Sequence, residues 1–191
     1  GDLTLRLWDG ETVRQLGKVD GIVASLAWSG DGRRLFTGNC GDNTVRLWDV
    51  ASGVEIARGR TKKSATWFVA LAPDWKRGLS GAGDKLVHVW EPVSGREVGA
   101  LSGHTGKILG LAISQDGRRA ASASQDKTVR VWDLDRGATT VVLAGHRKQV
   151  LGVAMTPDGN RVASASGDGT VRVWDVASGA CVAVHEGGGA V

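Results

Sequence analysis

The sequence has no apolar run approaching the roughly 20 residues that a membrane helix requires. Its opening, GDLTLRLWDG, carries neither the basic segment nor the apolar segment of a secretory leader, so a cytoplasmic location and no membrane partner are expected. The first residue is Gly rather than Met, so a processed, trimmed or excised chain is expected. Cysteine occurs twice, at Cys40 and Cys181, in neither a CxxC nor a Cys/His metal spacing. That excludes a disulfide scaffold and favours a reducing compartment. No GxxxxGK[ST] and no HExxH occurs, and neither a cofactor nor a metal is expected. The net charge of +4 is not gathered in one place: the basic pairs Arg33-Arg34, Lys62-Lys63, Arg118-Arg119 and Arg147-Lys148 are scattered in or near turns. Solvated turn charges explain them, and a nucleic-acid partner is not expected.

What the sequence does have is periodic tryptophan. Trp8, Trp48, Trp90, Trp132 and Trp174 follow one another at spacings of 40, 42, 42 and 42 residues. Each closes a short β-prone run: LTLRLW, NTVRLW, KLVHVW, KTVRVW and GTVRVW. Asp9, Asp49, Asp133 and Asp175 follow four of them, and Glu91 follows the third. From His104 to Trp132 and from His146 to Trp174, 29 residues each, 17 positions are identical. One structural unit has been duplicated along the chain.

Turn residues cut each unit into four strands. In the fourth unit these are Lys107–Ile113, Arg118–Ser124, Thr128–Trp132 and Thr139–Leu143, separated by Gln115-Asp116-Gly117, Gln125-Asp126-Lys127 and Asp133–Gly137. No helical period competes with them. A small antiparallel sheet cannot bury both its faces alone, and stacking copies radially buries them, so the fold class is all-β, a propeller of four-stranded blades.

These residues resemble the WD40-repeat family, with its GH…WD signature, across essentially the whole chain. The resemblance implies a hydrogen-bonded set of His, Ser or Thr, Asp and Trp in each blade. The fourth unit supplies His104, Ser122, Asp126 and Trp132, and the fifth supplies His146, Ser164, Asp168 and Trp174. The third keeps Ser80, Asp84 and Trp90 but has Lys62 at the His position. The second keeps Asp42 and Trp48, with Thr37 as the hydroxyl and Val19 at the His position, and the first retains Asp2 and Trp8. The second and third blades are therefore expected to be less stable, by about 1 kcal/mol for each buried hydrogen bond lost. His104, Ser122 and Asp126 are also the residue types of a hydrolase triad, but the set recurs in the next unit and no oxyanion-hole motif accompanies it. An enzyme is not expected.

The domain organisation reads as a half blade over residues 1–17, repeats over 18–59, 60–101, 102–143 and 144–186, and a Gly-rich tail over 187–191, all one propeller domain. That ring is incomplete. Three explanations stay open: a fragment of a longer multi-repeat protein, a homo-oligomer in which a second copy closes the ring, or a degenerate remnant.

The family's narrow top face, at the channel mouth, recruits proteins or peptides. By position this implies partner contacts at Lys107 and Leu109, Gln149 and Leu151, Ala65 and Trp67, and Ile22 and Ala24. An apolar track Trp67-Leu109-Leu151 would cross adjacent blades, with Trp67 either a hot spot or a cover for a neighbouring strand. Trp28 falls at a core position, beside Ile113 and Met155 in the alignment of repeats. Trp75 replaces the turn glycine of other units and is expected to be exposed. Arg6, Arg46, His88, Arg130 and Arg172 recur once per unit, as stems packed between blades. The function implied is a protein-interaction scaffold. A regulatory propeller attached to an enzyme domain, and a basic nucleic-acid binder, are the alternatives.

Overall fold

The computed structural model describes residues 4–8, 10–19, 21–61 and 65–187. Asp2, Asp9, Lys62, Lys63 and the end of the Gly-rich tail lie outside the described residues. Among the described residues eighteen strands form five antiparallel sheets. A two-stranded sheet comes first, β1 (Thr4–Trp8) and β2 (Val13–Lys18). The second blade is β3 (Val23–Trp28), β4 (Arg34–Asn39), β5 (Thr44–Asp49) and β6 (Glu55–Arg60). The third is β7 (Thr66–Leu71), β8 (Gly78–Ala82), β9 (Val87–Glu91) and β10 (Arg96–Leu101). The fourth is β11 (Ile108–Ile113), β12 (Arg119–Ser124), β13 (Thr128–Asp133) and β14 (Ala138–Ala144). The fifth is β15 (Val150–Met155), β16 (Arg161–Ser166), β17 (Thr170–Asp175) and β18 (Cys181–Glu186). Strand order within each blade is the order of the sequence. Among the described residues there is no helix, so none is long and apolar enough to cross a membrane.

The first strands β3, β7, β11 and β15 pack side by side in series. They form the inner wall of an arc, and the fourth strands its rim. Blades stack by matching large residues to small. Ala121, Ala123, Val129 and Val131 of the fourth blade receive Val150, Val162, Trp174 and Val176 of the fifth. Each buried Val or larger side chain contributes roughly 1.5–3 kcal/mol relative to exposure. Close approach of two first strands is set by glycine: a Cβ on Gly110 would lie 3.2 Å from the Cα of Gly152.

Two tryptophans depart from expectation. Trp28, read as core, is 43% exposed. The two-stranded sheet that precedes it covers Leu35 and Trp48, through Leu5, Leu16 and Val19, but it has no inner strand to lie over β3. Leu26, also on β3, is 51% exposed for the same reason. Trp75, read as exposed, is half-buried. Its backbone takes φ +50° where Gly32, Gly117 and Gly159 take 67–69°, a left-handed turn that favours glycine. The ring lies against the cluster containing Phe36 and Leu47, with the Arg34 guanidinium 5.7 Å from its centroid. The cross-blade packing and this cation–π contact offset the cost of the turn.

Candidate functional site

The repeated polar set is assembled as a relay. In the fourth blade Trp132 Nε1 donates to Ser122 Oγ at 2.8 Å. Ser122 Oγ lies 2.7 Å from His104 Nε2, and His104 Nδ1 lies 2.7 Å from Asp126 Oδ2. The serine accepts from tryptophan and donates to histidine, so a neutral imidazole suffices, with its one proton facing the aspartate. Thr105 N and Thr128 N also donate to Asp126. The fifth blade repeats this with Trp174, Ser164, His146 and Asp168 at 2.8, 2.8 and 3.0 Å. Burial raises the Asp126 pKa, but hydrogen bonds from Thr128, His104 and Thr105 outweigh it and hold the carboxyl at about 2. Burial also lowers the His104 pKa, beyond what Asp126 restores. The serine hydroxyl is fully buried and committed at both ends, so it cannot reach a substrate as a nucleophile.

The second and third blades rebuild the set by other means. Trp48 Nε1 donates to Thr37 Oγ1 at 3.1 Å, and Trp90 Nε1 to Ser80 Oγ at 2.9 Å. Asp42 is bonded by Arg46, four residues on, and Asp84 by His88 Nε2 at 2.9 Å. The cation is then held from β6 or β10: Arg46 by Glu55 at 3.4 Å, His88 Nδ1 by Glu97 at 2.7 Å. Thr139 and Cys181 occupy the places of Glu55 and Glu97 opposite Trp132 and Trp174. The expectation of bonds lost from these blades therefore needs correction on the aspartate side, where a third-strand cation has taken over from the histidine; the hydroxyls Thr37 and Ser80 keep the tryptophan bond but not the bond to histidine. The recurrent Arg46 and His88 are network members here. Arg130 and Arg172 instead lie 6.0 and 5.9 Å from the Trp132 and Trp174 rings, as packed stems.

His88 faces a carboxylate from each ring nitrogen, and both contacts are hydrogen bonds only if the ring is an imidazolium. Asp84 and Glu97 are the charged groups that face it among the described residues. Burial lowers its pKa, yet these two bonds outweigh burial and raise it above the ordinary value. A raised folded-state pKa gives stability that is fully present below about pH 6.5 and is lost as pH rises through the folded value. Wild type is therefore expected to lose denaturant resistance as pH rises above about 6.5 and through the raised His88 value, relative to His88→Arg, whose cation does not titrate there. Parallel pH profiles of the two urea midpoints would refute this.

The sequence-predicted contact residues share one backbone feature. In all four complete blades the first strand is bulged against the second, and the skipped residues are Ala24, Trp67, Leu109 and Leu151. A bulge leaves one residue without a cross-strand partner and re-aims its side chain. The bulges lie at the end of the inner wall that also carries the turns of Asp42, Asp84, Asp126 and Asp168, at the channel mouth. Trp67 is 50% exposed and Leu151 44%, Leu109 is half-buried, and Lys107 and Gln149 are exposed. Ile22, at the rim, is 65% exposed. Among the described residues no group of His, Cys, Asp and Glu could hold a metal.

Residues 10–49, 95–133 and 137–175, together more than half of the chain, match the family described as WD domain, G-beta repeat. The chain belongs to the WD40-repeat family. The matched segments omit most of the third blade, where Glu91 replaces the Asp of the motif, although β7–β10 form a complete WD40 blade. No curated protein matches the sequence significantly. Among solved structures, a chain in the crystal structure of the mitotic checkpoint complex superposes with TM-score 0.89 at 26% identity, covering 99% of this chain and 60% of that one. The structure of U3-55K superposes with TM-score 0.82 at 26% identity, covering 90% of this chain and 55% of that one. This WD40 chain thus spans less than two thirds of the length of either.

Proposed function

We propose that the chain is a non-catalytic protein-interaction module that takes its partner at the channel mouth, with Trp67, Leu109 and Leu151 as apolar anchors and Lys107 and Gln149 beside them. The single observation that carries this reading is the bulge repeated in β3, β7, β11 and β15, which aims one unpaired side chain per blade at the same opening. A contiguous row of half-exposed Trp and Leu marks an interaction surface, and Trp is among the residues enriched at interface hot spots. The occurrence of a superposable chain in a checkpoint complex supports the same class of role.

The test is differential capture. The immobilised protein, a Trp67→Ala/Leu151→Ala variant and a control with Lys76→Ala on the opposite face are exposed to one cell extract. Proteins held by wild type are expected to drop by about tenfold or more on the double variant and to stay on the control. Equal capture by all three, with thermal melts unchanged, would remove the mouth as the contact surface.

A further inference from the structure

The charges of this molecule are sorted by face. At the mouth end Arg60, Lys85, Lys107, Lys127, Arg147 and Lys148 are exposed, and no ion pair joins any of them to a carboxylate among the described residues. Four acids of the same end are already committed, Asp42 to Arg46, Asp84 to His88, Asp126 to His104 and Asp168 to His146, which leaves Glu186 at the end of β18 as an exposed carboxylate against six exposed cations. At the opposite end cations and carboxylates alternate and pair, Arg34 with Asp49, Lys76 with Asp74, Arg77 with Asp135 and Arg136 with Asp133. The excess positive charge, scattered along the sequence, is therefore gathered by the fold around one opening, and the apolar bulge residues lie inside that cationic rim.

Resting on the interaction role proposed above, we infer that the ligand of the mouth is an acidic peptide segment with apolar side chains between its carboxylates. The apolar residues fill the bulge row, and the carboxylates meet the rim. A row of one sign around a concave opening raises the encounter rate of a ligand of the other sign. A nucleic acid would meet the same rim but not the same floor. Trp67 is the one flat face in the row, and the aliphatic Leu109 and Leu151 beside it offer none on which successive bases could stack, which sequence-tolerant nucleic-acid binding relies on.

The test begins with a phage-displayed random peptide library, selected on the wild-type chain and counter-selected on Trp67→Ala/Leu151→Ala. Enriched peptides are expected to carry net negative charge and at least two apolar residues. The best of them, as a labelled synthetic peptide, is expected to bind about tenfold more weakly to Lys107→Glu/Arg147→Glu and at raised salt, and unchanged to Arg118→Glu on the other face. Neutral or basic enriched peptides that still need Trp67 would overturn the acidic assignment while leaving the interaction surface in place. Enrichment indifferent to Trp67 would sink the surface itself. A single-stranded oligonucleotide of equal charge that binds more tightly than the peptide, with the same dependence on Lys107 and Arg147, would assign the rim to nucleic acid.

Discussion

Replacing Trp132 by alanine lowers stability by about 3–5 kcal/mol, and the same replacement at Trp8 changes it by no more than about 0.5 kcal/mol. The two residues hold the same place in the repeat, so the difference is entirely one of surroundings. Trp132 is 1% exposed. Its ring belongs to the cluster that joins the third blade to the fourth, with Leu79, Val89 and Leu134, and its Nε1 feeds the Ser122 relay. Alanine removes the ring, opens a cavity between blades and leaves the serine short of a donor. Trp8 is 72% exposed, and among the described residues β1 pairs only with β2, so none of them offers its indole a hydroxyl from a second strand. Urea midpoints of the two variants against wild type give the comparison. Equal losses would mean that the arc is held by each strand's own propensity and not by blade-to-blade packing.

Removing the carboxylate at Asp42 by alanine costs about 3 kcal/mol, because it takes the nearer of two carboxylates from a buried guanidinium. Arg46 is 1% exposed and would keep Glu55 at 3.4 Å as its carboxylate partner. If that is the source of the loss, Asp42→Ala combined with Arg46→Met recovers about half of it or more, since the buried charge left with only its more distant carboxylate is gone. A double-mutant cycle in urea reads the coupling. Strict additivity would show that Arg46 does not substitute for the missing histidine. The parallel change in an intact blade, Asp126→Ala, exposes a neutral imidazole instead, and no methionine at Arg130 is expected to rescue it.

The architecture was legible because its signals are local and repeated. The tryptophan period, the turn residues and the β-branched runs together specify strand number and order, and β11–β14 begin and end within a residue or two of their expected bounds. The relay of the fourth and fifth blades was equally legible, since all four residue types stand at matching positions. The repair of the second and third blades was not, because its cation stands on the third strand and not at the position where the other repeats keep the histidine. A signal was nevertheless present. Glu55 and Glu97 occur only in the blades that lack the histidine, opposite Trp48 and Trp90, and the cation stands four residues after the aspartate in both. Trp28 and Trp75 depart from expectation for a different reason. Their burial depends on which neighbouring strand is present and on a ring reaching across to another blade, and neither fact is local to the sequence.

The four bulges separate two demands that usually compete for the same side chain. A paired strand residue must satisfy its cross-strand neighbour, so changing it disturbs the sheet. The skipped residue in β3, β7, β11 and β15 has no such neighbour, and the chain already tolerates Ala, Trp, Leu and Leu there. These positions behave as interchangeable sockets on a fixed chassis. Twenty residue types at each of the four give about 160,000 mouths on one scaffold, each differing from the next in what it recognises and hardly at all in how it folds.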